Sequence, residues 1–283
     1  MADTQNVIYG QAYSQNIMQL AQQKYSKLAN TVYMKPNVRG KTFFQDQIGE
    51  WSMEVKGSRN TQTPNNDPTL SRRMGVMVDY HDNRLLDRGD ELKSISDPRS
   101  AYTIAAATAL GRKIDEVIIT AAINSAAAGE TGTTTVTQGN IILATASSMT
   151  LARIIAVKQQ MDEQDVEMED RFFVVKPAVL DNLLNQTTAT SSDYNSVKAL
   201  IRGEIDTWMG FKWIASTRIA AISSSTLLGV AYQRYGLCAA MGASPLVRTD
   251  ERADLSYSWQ VYYELNVGCV RLEEDRVVVL NEG

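Results

Sequence analysis

The 283 residues carry 28 Lys and Arg against 32 Asp and Glu, a net charge of −4, so the chain as a whole is no electrostatic match for nucleic acid, which basic proteins bind through counterion release. Its 44% hydrophobic and 21% charged residues are ordinary for a globular protein and suffice for one large or two unequal domains. No apolar run reaches the roughly 18 residues of a membrane span; the opening MADTQNVIYGQAYSQNIMQL lacks the basic start and apolar block of a secretory signal, so synthesis in a cytoplasm and reduced Cys238 and Cys269 are expected.

Residues 1 to about 35 are rich in Gln, Asn and Tyr. Ile17, Leu20, Tyr25 and Leu28 fall on a weak helical stripe, and the segment reads as an arm that orders against something else. From Thr42 the period becomes two. Trp51, Met53 and Val55 alternate with polar residues, as do Met74, Val76, Val78 and Tyr80, which predicts two strands. Between them GSRNTQTPNNDPTLS has almost no apolar content and predicts a long projecting hairpin loop. A lone hairpin is marginal in water, and its free edges point to a partner chain.

DPRSAYTIAAATALGRKIDEVIITAAIN, residues 97–124, predicts the longest helix. Asp97 suits the cap and Pro98 the first turn, and Ala107, Leu110, Ile114, Val117 and Ala121 fall on one stripe. About 27 residues make a rod of about 40 Å, and alanine flanks let other elements come close. After the Gly- and Thr-rich AAAGETGTTTVTQGN a second helix is expected over 149–164, with Leu151, Ile154, Ile155 and Met161 on one face. RFFVVKP predicts a buried strand and AVLDNLLNQ a short helix. Residues 187–245 read as a separate lobe: a polar loop, a helix near 197–202, the strand FKWIAST, a Ser-rich turn, the strand LLGVAY and a small-residue helix RYGLCAAMGA. The end, from Leu246, is rich in strand.

Little in the chain carries reaction chemistry. His81 is the single histidine, which removes most zinc and triad constellations; it sits in strand-like alternation and reads as structural. Cys238 and Cys269 lack CxxC spacing and read as small buried hydrophobes. GETGTTT lacks the Gly-Lys-Ser/Thr ending of a phosphate loop and reads as a flexible loop. The carboxylates of MDEQDVEMED (161–170) lack the spaced ligands and turn glycine of a calcium loop and read as a solvated helix end. Trp208, Met209, Phe211 and Trp213 read as packing, since no basic groove accompanies them. No catalytic, cofactor or metal residue is assigned. Charge is uneven, however: Lys35, Arg39, Lys41, Lys56, Arg59, Arg72 and Arg73 lie early, while 161–170 and the segment from Asp250 are acidic. That suits like subunits packing head to side, with plain solvated charge as the alternative.

An arm, a projecting hairpin and a long helix without a reactive cluster suit a protein that contacts copies of itself. The order of elements resembles that of tailed-phage major capsid proteins with the Hong Kong 97 fold, an α+β class, from about Val32 onward. The 97–124 segment is similar to the spine helix of one such capsid family, with its DP start and R..D..I..AA body, and YSWQVYYELNVGCVRLEEDRVVVLN is similar to that family's last strands. The resemblance implies an N-terminal arm over 1–41, an extended hairpin or E-loop over 42–88, a peripheral domain of 89–186 with 246–283 containing the spine helix, and an axial domain over 187–245. It further implies a non-enzymatic shell protein without cofactors, made in the host bacterial cytoplasm and assembled as pentamers and hexamers into the virion capsid around double-stranded DNA, which touches the inner surface nonspecifically. A portal, cement proteins and a separate scaffold protein are the further partners, no fused scaffolding segment preceding the hairpin. Trp51, Lys56, Arg59, Arg72 and Arg73 are the candidate inter-subunit contacts, the arginines and Lys56 resting on a neighbour's acidic surface. Reversing the charge of Arg72 and Arg73 is then expected to spare the fold and impair assembly. An encapsulin shell and a carboxylate-based α/β enzyme are the alternatives.

Overall fold

The computed structural model describes residues 22–87, 99–144, 149–184, 207–222, 227–242 and 245–282. The arm pattern at Ile17 and Leu20, the Asp97–Pro98 start, the loop and helix placed over 187–202 and the Ser-rich turn at 223–226 lie outside the described residues. In chain order the elements are a 3-10 turn (Ala29–Thr31), β1 (Tyr33–Lys35), β2 (Thr42–Ile48), β3 (Leu70–Val76), β4 (Val78–Leu86), α1 (Arg99–Ile123), β5 (Ala126–Ala128), β6 (Thr134–Val136), β7 (Ile141–Ala144), α2 (Leu151–Asp162), β8 (Arg171–Val175), α3 (Pro177–Leu184), β9 (Thr207–Trp208), β10 (Phe211–Ala215), α4 (Arg218–Ile222), β11 (Leu227–Gln233), a second 3-10 turn (Arg234–Gly236), β12 (Leu237–Met241), β13 (Leu246–Arg252), β14 (Ser258–Arg271) and β15 (Val277–Glu282). The chain divides into two compact units, one of Met1–Tyr25, Tyr80–Gly111 and Pro245–Leu265 and the other of Ser26–Asp79, Arg112–Ser244 and Asn266–Gly283.

In the larger unit a six-stranded sheet runs in the order β7-β15-β11-β8-β10-β9. Every residue of β8 is buried, as expected where a strand is flanked on both edges and covered on both faces. Ile154, Val157 and Met161 of α2 and Val179 and Leu183 of α3 join Phe173, Val175, Leu228, Ala231, Val278 and Leu280 in one core cluster. Ile155, expected on that buried face of α2, is largely exposed. Trp208 and Phe211 belong to the same core, and the Phe173 ring lies 4.6 Å from that of Trp213 and 5.5 Å from that of Phe211; the aromatic run is packing. This sheet takes β9, β10 and β11 from within 187–245 and β7, β8 and β15 from outside it.

The small-residue helix expected over RYGLCAAMGA is instead a 3-10 turn followed by β12. Leu237, Cys238, Ala239 and Ala240 are all completely buried, β12 pairing in parallel with β1 and antiparallel with β14. Alanine's helix preference is worth tenths of a kcal/mol per residue and yields to ladder bonds on both edges.

Helix α1 forms over the described part of the predicted span, and Leu110 and Ile114 of the expected stripe are buried. The rest of the apolar buried face is Ala106, Ile118, Ile119 and Ala122, whereas Ala107 is exposed and Val117 and Ala121 only partly covered. Asp115 is also on the buried side, 0% exposed. Its carboxylate accepts hydrogen bonds from Ser26 Oγ (2.6 Å), Lys27 N (3.1 Å) and Leu28 N (3.1 Å). Those amides are therefore taken by a side chain, and residues 22–28 form no helix; Tyr25, expected on a helical stripe with Leu28, is 81% exposed while Leu28 is buried. One turn further, Thr31 and Tyr232 join hydroxyls at 2.6 Å.

The C-terminus of α1 is closed by Arg271. Its guanidinium donates to the carbonyls of Ala122 (3.3 Å) and Asn124 (2.6 Å), and to that of Val136 (3.1 Å). Helix C-termini leave carbonyls without partners and carry partial negative charge, so a cation there satisfies both deficits. Glu274 stands 3.4 Å from the same guanidinium. Burial pulls Arg271 below its ordinary pKa, with Glu274 opposing.

In the smaller unit β13 pairs antiparallel with β14 in unbroken register from Leu246↔Glu264 to Arg252↔Ser258, and β4 also pairs with β14. Tyr263 donates its hydroxyl to Asp82 at 2.8 Å, and Arg84 lies over the Tyr102 ring at 5.9 Å. β13 ends its strand path as an edge.

Because Arg271 is fully buried among carbonyls, Arg271→Met is expected to lower the unfolding free energy by about 3 kcal/mol. Denaturant unfolding followed by circular dichroism measures it.

Candidate inter-subunit surface

β2 and β3 form an antiparallel ladder from Thr42↔Val76 to Ile48↔Leu70, closed by a bond from Gly49 N to Thr69 O (2.8 Å). Beyond it residues 50–69 form no strand. The strand expected around Trp51, Met53 and Val55 is thus absent: these side chains are 69%, 92% and 96% exposed. The periodicity is present, but the chain offers no ladder to pair with it. Asn66 donates to Glu54 (3.1 Å) and Ser58 and Thr61 share a bond of 2.6 Å, so the loop holds itself only by local polar contacts. Ile48 and Leu70, at its base, are exposed as well.

The second expected strand is broken at Met77, where the chain passes from β3 to β4. Its buried face is the opposite of the predicted one: Arg73, Gly75 and Met77 are buried, and Val76 and Val78 exposed. The cause lies at Gly75, where any Cβ would stand 2.2 Å from the Phe43 ring; the ring occupies the place a side chain would need.

The base of the hairpin is fastened inward through Arg73, which donates to Leu272 O (2.8 Å) and Glu274 (2.7 Å). Arg72, one residue earlier, points the other way and pairs with Asp46 at 2.5 Å, both partly in solvent, with its guanidinium 5.4 Å from the Phe44 ring. Asp46, Ile48, Leu70 and Arg72 line an open cleft of about 780 Å³ with Gly129 and Glu130. The structure therefore separates the five candidate contacts. Trp51, Lys56 and Arg59 are exposed on the loop, Arg72 is half-buried at its base, and Arg73 is buried. The expectation that Arg73 faces a neighbour is corrected: its charge is already used within the chain, and charge reversal there would set two carboxylates against each other.

The GETGTTT loop is a hairpin turn between β5 and β6, with Gly129 and Gly132 at φ of 88° and 74°, a region costly for other residues. His81 is exposed, its ring 6.4 Å from that of Tyr262. Register places Cys238 opposite Val270 and Ala239 opposite Cys269, so the two thiols project to opposite faces of the sheet. Burial pushes the Cys238 thiol up to about 11 and Cys269 higher still. Three carboxylates of the acidic segment are bound to cations of their own chain: Asp162 to Lys158 (2.8 Å) and Arg171 (2.6 Å), Asp170 to Lys212 (2.8 Å), and Glu167 to Arg276. Among the described residues no group of three or more His, Cys, Asp or Glu is placed to hold a metal ion, and no helix is long and apolar enough to cross a membrane.

The phage capsid protein family profile matches residues 6–282. The chain belongs to that family. As a phage capsid protein it is a structural component of the shell. Its fold is similar to that in "Capsid structure of the Cyanophage P-SCSP1u", at 16% identity and a TM-score of 0.73, covering 98% of this chain and 94% of the other. "Mycobacterium phage Che8" gives 16% identity and a TM-score of 0.71 over 96% and 97% of the two chains. "Capsid of native GTA particle computed with C5 symmetry" gives 12% and 0.75 over 100% and 98%. The Hong Kong 97-type α+β fold is thereby shown. No curated protein matches the sequence at a significant level. Of the residues that matter here, the sequence reading missed Asp115, Arg271 and Glu274; the one available signal was a carboxylate set within the apolar register of α1.

Arg73→Ala is expected to cost about 2–3 kcal/mol of stability by stranding Leu272 O and weakening the hold on Glu274, whereas Arg72→Ala leaves the melting temperature unchanged; thermal unfolding of both variants checks this. For Asp162, burial raises the carboxyl pKa but bonds from Lys158 and Arg171 outweigh it, so the folded value lies below 3.8. A depressed folded pKa gives stability that is full above the unfolded value and lost as pH falls through the folded one. Asp162→Asn is therefore expected to melt earlier than the parent at neutral pH, with the gap closing below about pH 4, as read from melting curves across pH.

Proposed function

We propose that this capsid protein assembles as hexamers and pentamers that close an icosahedral shell around packaged double-stranded DNA, the loop at 49–69 serving as the clasp laid on a neighbouring subunit. In this reading 1–41 is the N-terminal arm, 42–88 the extended hairpin, 89–186 with 246–283 the peripheral domain and 187–245 the axial domain. The observation that carries it is the bare apolar run of Trp51, Met53 and Val55 on an unpaired segment. A monomer gains nothing from such exposure, whereas burial against a neighbour is worth about 1.5–3 kcal/mol per large side chain. Trp51, Lys56 and Arg59 are the proposed contacts, with Arg72 at the clasp's base. A net charge of −4 suits a container that touches DNA nonspecifically and does not grip it.

The proposed partners beyond itself are a separate scaffold protein, a portal and cement proteins, in a host bacterial cytoplasm where assembly takes place. The family match is to phage capsid proteins, which favours the virion shell over an encapsulin compartment.

Electron microscopy of the purified chain, expressed alone and with its scaffold, is expected to show closed particles or hexamer sheets. A uniform monomer under both conditions would overturn the reading. Trp51→Ser combined with Met53→Ser and Val55→Ser is expected to leave the monomer's melting temperature unchanged and abolish particles.

A further inference from the structure

Among the described residues the loop segment Trp51–Lys56 has the alternation of a strand and no strand to pair with, while β13 pairs on one edge alone. The edge is regular: its seven residues pair with β14 without a bulge and contain no proline. Such an edge offers a row of unpaired backbone groups to any extended segment that fits.

The side chains decide which segment that is. Along β13, Val247 and Thr249 lie on one face and Arg248 and Asp250 on the other, by the period of two. Along the loop, Met53 and Val55 lie on one face and Glu54 and Lys56 on the other. Aligned in parallel, Met53 meets Val247, Glu54 meets Arg248, Val55 meets Thr249 and Lys56 meets Asp250. Apolar and uncharged residues share one face, and both charged pairs on the other are of opposite sign. The antiparallel alignment that also places Lys56 against Asp250 sets Val55 against Glu251 and is poorer.

Of the four charges concerned, Glu54 accepts a hydrogen bond from Asn66 within the loop. Lys56, Arg248 and Asp250 are exposed and make no ion pair among the described residues, while Arg252 is held by Asp254. The other acidic stretch, 161–170, has Asp162, Glu167 and Asp170 bound to internal cations. Glu163, Asp165 and Glu169 of that stretch are exposed as well, but among these and Asp250 only Asp250 combines an open carboxylate with a strand at the end of its sheet path.

We infer that residues 52–56 of one copy add as a parallel strand to the β13 edge of a second copy, in the register Met53–Val247 to Lys56–Asp250. This rests on the shell reading and names the surface its clasp engages.

Hydrogen–deuterium exchange on wild-type monomer and on assembled particles tests it. Alternate amides of 52–56 and alternate amides of 246–252 are expected to exchange at least roughly tenfold more slowly in particles, since ladder bonding on the shared edge protects them. Lys56→Glu and Asp250→Lys are each expected to cut particle yield by roughly threefold, and the double variant to restore it, as cross-strand charge pairs do; both sites are exposed, so the fold is spared. Particles whose 52–56 amides exchange freely, or are protected while 246–252 are not, would overturn this inference and leave the shell reading standing. Absence of wild-type particles, alone and with scaffold, would remove both.

Discussion

Two guanidiniums around one carboxylate hold the larger unit together. Glu274, in the turn between β14 and β15, receives Arg73 from the hairpin base and Arg271 from β14, and Arg271 also closes the end of α1. Three pieces distant in sequence thus share one polar junction. Buried ion pairs contribute little net stability against an apolar alternative. What this one supplies is position: hydrogen bonds are directional, so the hairpin base, the helix end and the last strand are fixed in register with one another. Asn140 extends the junction by donating to Glu274 O at 2.9 Å, which ties in the approach to β7. Arg73 ties the root of the 49–69 loop to the turn before β15.

What the sequence made legible follows from the range of the forces involved. The long helix, the buried β8, the α2 and α3 helices and the terminal strands are set by local periodicity and apolar content, which can be read in a window of a dozen residues. β12 could not be read that way. LCAAM has helical preference, and only the simultaneous presence of β1 and β14 on its two edges makes it a strand. The helical stripe at Tyr25 and Leu28 and the phase of β3 failed for a similar reason: a carboxylate 87 residues or more away takes the amides of Lys27 and Leu28, and the Phe43 ring across the ladder takes the space above Gly75. Of the candidate contacts, the exposure of Trp51, Lys56 and Arg59 was legible because apolar and basic residues in a polar loop stand out. Arg73 was misread because a buried arginine and a surface arginine look the same in sequence.

The period-two pattern at 51–56 is instructive in another way. Propensity and patterning describe what a segment does when it has a partner, and a strand needs one. At 51–56 the signal is present and the partner strand is not, among the described residues of a single chain. The low identity to solved capsids, 16% at a TM-score of 0.73, is consistent with a fold held by pattern and topology, in which most surface positions are open to change.

The placement of the two cysteines has a consequence for oxidation. Adjacent strands carry them, yet they face opposite sides of the sheet, so they cannot join to each other without unravelling it. Their raised pKa values keep the thiolate, the oxidisable form, scarce at neutral pH. A change from reducing to oxidising surroundings therefore makes no bond between these two thiols of one subunit.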